Sequence, residues 1–238
     1  MRNLKNWDNN TWLSSKNYIL SFHKYLRSEI KFSKKIKILD IGCGRGKIIS
    51  FLSKKYKLVN YPVGVDIVDH KPHKRRVRFV KKDALKFLKS SKDKYDLIIF
   101  KQSIHFFNNQ KIKSIILNSK KILNKNNKII ICTLNSSKNF FPTFLLFKKR
   151  LESSLEKDKI KIFLLKKILK NYKIKNFKFK VKITREDYIK IIKKRFISCL
   201  LDLTEKEIQN GVEEIKKNYK RKISFNDQLL CLVYKKKL

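Results

Sequence analysis

The stretch Ile38-Leu39-Asp40-Ile41-Gly42-Cys43-Gly44-Arg45-Gly46-Lys47 decides how the chain folds. The apolar-rich run 36–41 predicts a short buried strand. Residues 45–55, with Ile48, Ile49, Phe51 and Leu52 on one side, predict a helix. Three alternating glycines join the two. Glycine lets the backbone bend tightly and lets a ligand approach the main chain. The spacing is G-x-G-x-G, whereas a dinucleotide fingerprint reads G-x-G-x-x-G. Asp40 stands two residues before the first glycine. A carboxylate there repels a pyrophosphate and suits a ligand that carries positive charge.

S-adenosylmethionine has an ammonium and a sulfonium and no phosphate, so this turn favours it over NAD or ATP. A second acid strengthens the reading. Residues 62–67 predict another strand, and Asp66 lies twenty residues after Gly46. A carboxylate at that place accepts hydrogen bonds from ribose hydroxyls. Residues 77–80 predict a third strand, followed by Asp83 and a short helix over 84–88. Two readings of Asp83 stay open: contact with an adenine amine, and a cap on that helix. Further strands are predicted at 95–100 and 128–134, with a helix over 112–123 between them. Strands and helices alternating at this pitch imply right-handed crossovers and a doubly wound, mostly parallel sheet. The acids then stand at carboxyl ends of strands, where open α/β sheets bind ligands.

Taken as a set, these motifs resemble the class I S-adenosylmethionine-dependent methyltransferases, in particular small-molecule enzymes of that class. Asp40-x-Gly42-x-Gly44-x-Gly46 is similar to the first motif, Asp66 to the second, Asp83 to the third, and Tyr95–Phe100 to the fourth-strand motif. The resemblance covers residues 36–135. It implies a Rossmann-like, seven-stranded sheet with a reversed last strand and helical insertions. It also implies roles. Asp40 and the backbone of Gly42, Cys43 and Gly44 would hold the methionine end of the cofactor. Asp66 would hold the ribose, Ile67 would pack on the adenine, and Asp83 and Ala84 would meet the adenine edge. Lys101 would flank the donor.

Outside that core, residues 1–35 read as an N-terminal helical cap, with Trp12, Tyr18, Ile19, Phe22, Tyr25 and Leu26 near helical spacing. Residues 136–238 read as helical insertions and last strands completing the same domain. A helix is expected within 140–170, a strand at 177–183, helices opened by Thr184 and Thr204, and a final strand at 228–234. Phe140, Phe141, Phe144 and Phe147 either roof a substrate pocket or pack as helix core.

Other side chains sort by chemistry. His105 follows the fourth strand; it is the candidate catalytic residue, as base or orienting group, or else it packs beside the pocket. Gln102 and Lys101 are candidates for substrate contact. Asp96 begins a strand, so it reads as structural. Cys43 reads as a small residue facing the ligand. Cys132, Cys199 and Cys231 read as core. No C-x-x-C pair occurs, so no metal site is expected. The cluster of Arg75, Arg76 and Arg78 with Lys74 reads as a solvated turn or a phosphate clamp.

Composition bounds the rest. The chain has 238 residues, of which 42% are hydrophobic. That suffices for one cored domain and excludes wholesale disorder. Four cysteines are too few for a disulfide scaffold. No apolar run reaches the length of a bilayer span, and no secretory leader is evident. A cytoplasmic protein without membrane insertion is therefore expected. The net charge is +42, from 61 basic and 19 acidic residues. Only ten of the 61 are arginines, whereas specific phosphate and base recognition favours arginine. The lysines are dispersed and accompany abundant Ile and Asn, as an adenine/thymine-rich coding sequence would produce. A solvated lysine coat and a nucleic-acid surface both stay open. The leading expectation is methyl transfer to a small-molecule acceptor; the alternative is a tRNA or rRNA methyltransferase docking through the lysine-rich surface.

Overall fold

The computed structural model describes residues 11–70, 75–137 and 141–237. Seven strands form one sheet in the order β3-β2-β1-β4-β5-β7-β6. The strands are β1 (Ile38–Ile41), β2 (Val63–Asp66), β3 (Arg78–Lys81), β4 (Tyr95–Lys101), β5 (Leu123–Leu134), β6 (Tyr172–Thr184) and β7 (Lys222–Lys235). The first five run parallel, and β7 is antiparallel to both β5 and β6. The doubly wound sheet with a reversed last strand is thus the observed architecture.

The helices are α1 (Lys16–Glu29), α2 (Lys47–Lys55), α3 (Ala84–Ser90), α4 (Asn109–Ile122), α5 (Leu145–Leu169), α6 (Arg185–Lys193) and α7 (Glu205–Asn218). They cover both faces of the sheet, because alternate residues of the central strands feed two separate cores. Ile38, Leu97, Ile99 and Ile130 pack with α1, α2, α6 and α7. Leu39, Ile41, Ile98, Phe100, Ile129 and Ile131 pack with α3 and α4. A central strand buried on both faces reads as a near-continuous apolar run, as Leu97–Phe100 does. Helix α5 serves both cores: Phe147, Leu151 and Leu155 enter the first, Leu165 and Leu169 the second.

Caps fix where several helices start. Ser15 accepts from the Tyr18 N–H, Asn108 from Lys111 and Thr184 from Asp187. Thr204 and Glu207 close a reciprocal capping box on α7. Gly211 of α7 lies so near the Phe144 ring that an added Cβ would stand 2.6 Å from it. Only glycine admits that contact.

Several boundaries differ from the sequence expectation. Strands β5, β6 and β7 begin about five or six residues earlier than their apolar stretches: antiparallel pairing of β6 with β7 carries polar, half-exposed residues along with it, and Leu123 of β5 pairs with Tyr95 of β4. The helix expected from Thr184 to Cys199 stops at Lys193. Arg195 then takes a positive φ of 51°, and a 3-10 turn follows at Ser198–Leu200. A 3-10 turn at Trp12–Ser14 precedes α1. Trp7, Lys74 and Phe140 lie outside the described residues. Among those described, no helix is long and apolar enough to cross a membrane.

Candidate functional site

Strand β1 ends at Ile41, and the glycine turn carries the chain into α2. Gly42, Gly44 and Gly46 all have positive φ, at 72°, 54° and 68°. Their surroundings differ. A Cβ on Gly42 would come within 2.3 Å of the Ser103 Cβ, and Ser103 Oγ donates to the Ile41 carbonyl at 2.7 Å. Gly42 therefore lets the turn after β4 lock against the turn after β1. A Cβ on Gly44 would meet nothing within 4 Å. Gly44 faces open space.

That space is a cavity of about 380 Å³, within the range of small-molecule sites. Its walls include Asp40, Gly42, Cys43, Gly44, Asp66, Ile67, Asp83, Ala84 and Lys101. The structure thus brings together all nine residues that the sequence assigned to cofactor binding. His105 is not among its walls; it lines a second cavity, described below.

Asp40 is only 4% exposed, and its Oδ1 has no hydrogen-bond partner. Burial lifts its carboxyl to about 7, against the pull of Lys101 and with some help from Asp66. A buried carboxylate oxygen without a partner is costly, and a cationic group entering the cavity would relieve that cost. Asp66 ends β2. Its Oδ2 accepts from the Gly44 N–H at 2.8 Å, its Oδ1 from Val68 at 3.0 Å, and His70 Nε2 lies 3.7 Å away. The N–H groups of Gly42 and Cys43 donate to the Val65 carbonyl. The N–H donors of this turn are thus consumed inside the protein, so it offers a ligand close approach rather than a nest of free donors.

Asp83 caps α3 through the Lys86 N–H and lies 3.6 Å from Lys111 Nζ. Burial alone would raise its carboxyl, but these partners hold it below the usual value. Ile67 is 67% exposed at the cavity rim, and Phe106 is 53% exposed. Cys43 lines the cavity with its sulfur packed over Gly64 of β2. Burial pushes that thiol well up, so it is no nucleophile. Lys101 ends β4; its Nζ donates to Gln102 Oε1 at 2.9 Å and lies over the Tyr18 ring at 4.9 Å. Gln102 itself has a φ of 51°. Such strain in a non-glycine residue clusters at functional sites.

The second cavity, of about 60 Å³, shares Leu13, Gln102 and Phe106 with the first. His105, Thr133, Phe141, Asp158, Arg195, Phe196 and Asp227 line it, together with Trp12. Burial, aided by Lys161, lowers the His105 imidazole to about 4, so it is neutral at neutral pH. Phe141 lines this cavity, whereas Phe144 and Phe147 are core, so the aromatic cluster divides between the two roles expected for it.

Elsewhere the described residues settle smaller points. Asp96 accepts from the Lys37 backbone and from Asn124 and Asn127, a structural tie at the opposite end of β4. Arg76 donates to the Leu58 carbonyl and Arg78 to Asp93, so these arginines brace a turn. Cys132 and Cys231 face each other in the core of the β5–β7 pair. No group of three or more metal-binding side chains gathers among the described residues.

Sequence reasoning missed Asp227 and Asp158. Both carry a readable signal. Buried residues alternate through β7 as Ile223, Phe225, Asp227, Leu229 and Cys231. Asp227 is the acid on that inward face, and starting the strand at 228 hid it. In α5 the buried stripe runs Phe147, Leu151, Leu155, Asp158, Ile162, Leu165 and Leu169. Asp158 interrupts an apolar face at helical spacing.

A family defined by its methyltransferase domain matches residues 16–162. The chain belongs to that family and is an S-adenosylmethionine-dependent methyltransferase. No curated protein sequence matches it. Among solved structures, it is similar to the plantazolicin methyltransferase BpumL in complex with a monoazolic desmethylPZN analog and SAH. That match has a TM-score of 0.56 and 17% identity, and it covers 98% of this chain and 88% of the other. It is also similar to an S-adenosylmethionine-dependent methyltransferase from Archaeoglobus fulgidus, with a TM-score of 0.54 and 19% identity, covering 93% and 94%. At these identities the likeness establishes a common fold.

Proposed function

We propose that the chain transfers a methyl group from S-adenosylmethionine to a small-molecule acceptor bound in the second cavity. The observation that carries this reading is the second cavity, walled in part by Trp12, Phe106, Phe141 and Phe196 and sharing Leu13, Gln102 and Phe106 with the donor cleft. A shared wall lets two ligands meet there. When bound, S-adenosylmethionine supplies an activated methyl on a positively charged sulfur. Asp40 would hold its ammonium, which would answer the unpartnered Oδ1. Asp66 would accept from the ribose, Ile67 would pack on the adenine, and Asp83 with Ala84 would face the adenine edge. Gly42, Cys43 and Gly44 would form the floor, and Lys101 would flank the donor.

The work of the protein is then to orient and to exclude water. Positioning of two reactants can contribute about 7–11 kcal/mol. Such a reaction requires no single universal base. His105, neutral and lining the acceptor cavity, is placed to orient an acceptor or take a proton from it. BpumL, of the same fold, was captured with SAH and a desmethylPZN analog together, which is consistent with adjoining donor and acceptor sites. Four free cysteines, two of them in the core, suit a reducing cytoplasmic setting.

Incubation with radiolabelled donor and fractionated cell extract tests the proposal. Label is expected in small metabolites; label only in RNA or protein would overturn it. The charge of +42 keeps the RNA reading in play. Retention on RNA that survives at about 0.2 M salt would favour it, because non-specific lysine attraction fades steeply with salt.

A further inference from the structure

We propose that the acceptor is a small primary or secondary amine, and that Asp227 receives it. This deepens the reading above and rests on it. Asp227 is fully buried in β7 and lines the second cavity. Trp12 Nε1 donates to its Oδ2 at 2.9 Å, a contact joining the two ends of the chain. Its Oδ1 has no partner. One oxygen is thus pinned while the other is left bare in a desolvated wall. Burial raises this carboxyl, opposed by the Trp12 bond and by Lys101. An entering ammonium would stabilise the ionised form with a charge-assisted hydrogen bond.

The surroundings select for the same ligand. Trp12, Phe141 and Phe196 line the cavity beside Asp227, with centroids 5.0 Å apart for Trp12–Phe196 and 6.1 Å for Trp12–Phe141. Aromatic faces attract cations. The other charged groups in the wall are engaged. Arg195 Nη2 donates to the Leu203 carbonyl and to Glu205 at 2.7 Å, although its Nε is unpartnered. Asp158, also in the wall, lies 3.8 Å from Lys161, which donates to the His105 carbonyl. The guanidinium charge is therefore answered by Glu205, whereas the Asp227 Oδ1 has no hydrogen-bond partner and feels Lys101 only through space. A volume of about 60 Å³ admits a few heavy atoms, hence an amine head group with its tail toward the shared opening.

In the transfer, the bound ammonium first gives one proton to the Asp227 carboxylate, which becomes neutral. The freed nitrogen lone pair then forms the new bond to the methyl carbon, and the electrons of the broken carbon–sulfur bond stay on sulfur. The positive charge passes from sulfur to nitrogen. A primary or secondary amine can then lose a second proton to solvent.

The test is a ligand-observed NMR titration of the full chain saturated with S-adenosylhomocysteine. The probes are n-butylammonium, n-butanol and butyrate. Butylammonium is expected to bind at least about tenfold more tightly than either counterpart, and Asp227→Asn to lose about tenfold of that affinity. Trp12→Phe leaves Oδ1 in place and should retain most of it. Equal or better binding of butyrate or butanol, or full affinity in a folded Asp227→Asn protein, would overturn the assignment. Should Asp227→Asn not fold, the wild-type ranking of the three probes decides. Calorimetric binding of S-adenosylhomocysteine separates the two levels. If it binds and butylammonium does not, the amine assignment alone fails; if it does not bind, the methyltransferase reading falls with it.

Discussion

The donor cleft draws its walls, Leu13 apart, from residues 40 to 111, at the tips of β1, β2 and β4 and in the turns that follow. The second cavity gathers residues from 12 to 227, out of the turn before α1, the turn after β4, the end of β5, α5, the loop after α6, and β7. The first is shaped by backbone: three positive-φ glycines and acids at strand ends. The second is shaped by side chains: aromatic rings and acids set into otherwise apolar faces. A backbone device must sit at fixed spacing, so it recurs as a motif. A side-chain cavity can be assembled from any segments the fold brings together. One cavity can therefore keep its form while the other is rebuilt.

The largest expected effect lies in the core behind the second cavity. Phe147 of α5 is fully buried between the Phe144 and Phe196 rings. Phe147→Ala should cost about 4 kcal/mol of stability, measured by denaturant unfolding. The affinity of the folded fraction for S-adenosylhomocysteine should stay within about threefold of wild type, since distant sites are nearly independent. A large loss of donor affinity in folded protein would mean that the two halves are energetically coupled.

The same contrast explains what was legible beforehand. The donor half was readable because Asp40, the glycines, Asp66 and Asp83 each follow a strand whose apolar run is short and unambiguous. The second cavity was harder to read. Asp227 follows Ile223 and Phe225 on the inward face, but polar residues between them blur that alternation and their partner β6 is needed to set the strand's start at Lys222 rather than 228. The break at Arg195, with φ 51°, follows from packing around Phe196 and Leu200 rather than from a local stop signal. His105 was found as a candidate, but sequence had no means of telling that it faces the second cavity.

On the donor side, two neighbouring glycines should separate cleanly. Gly42→Ala places a Cβ 2.3 Å from Ser103 and forces a strained φ, and should cost about 3 kcal/mol. Gly44→Ala bears the strained φ alone, into open space, and should cost about 1 kcal/mol. Equal costs would show that the interlock with Ser103 is not what holds the turn.

Asp66→Ala removes the acceptor at the end of β2 and should weaken S-adenosylhomocysteine binding by about 2 kcal/mol in calorimetry. Unchanged affinity would leave Asp66 as a brace for the Gly44 and Val68 N–H groups and nothing more.

The effect most specific to the donor end is a pH dependence at Asp40. In the folded protein its carboxyl stands at about 7, against an ordinary 3.8. Between those values the native state holds a proton that the unfolded chain has released. Asp40 therefore makes stability fall as pH rises from about 4 to about 7, and has no further influence above that. Ligand binding runs the other way. An ammonium needs the ionised carboxylate, so binding below pH 7 must expel the proton. Affinity for S-adenosylhomocysteine should rise with pH by up to about tenfold per unit between 5.5 and 7 and then level off. Asp40→Asn has no proton to expel, so its profile should be flat and weak throughout. A flat profile in the wild-type protein would show that Asp40 is not the group that meets the ammonium. The buried oxygen would then be a cost of the fold rather than a receptor for the donor.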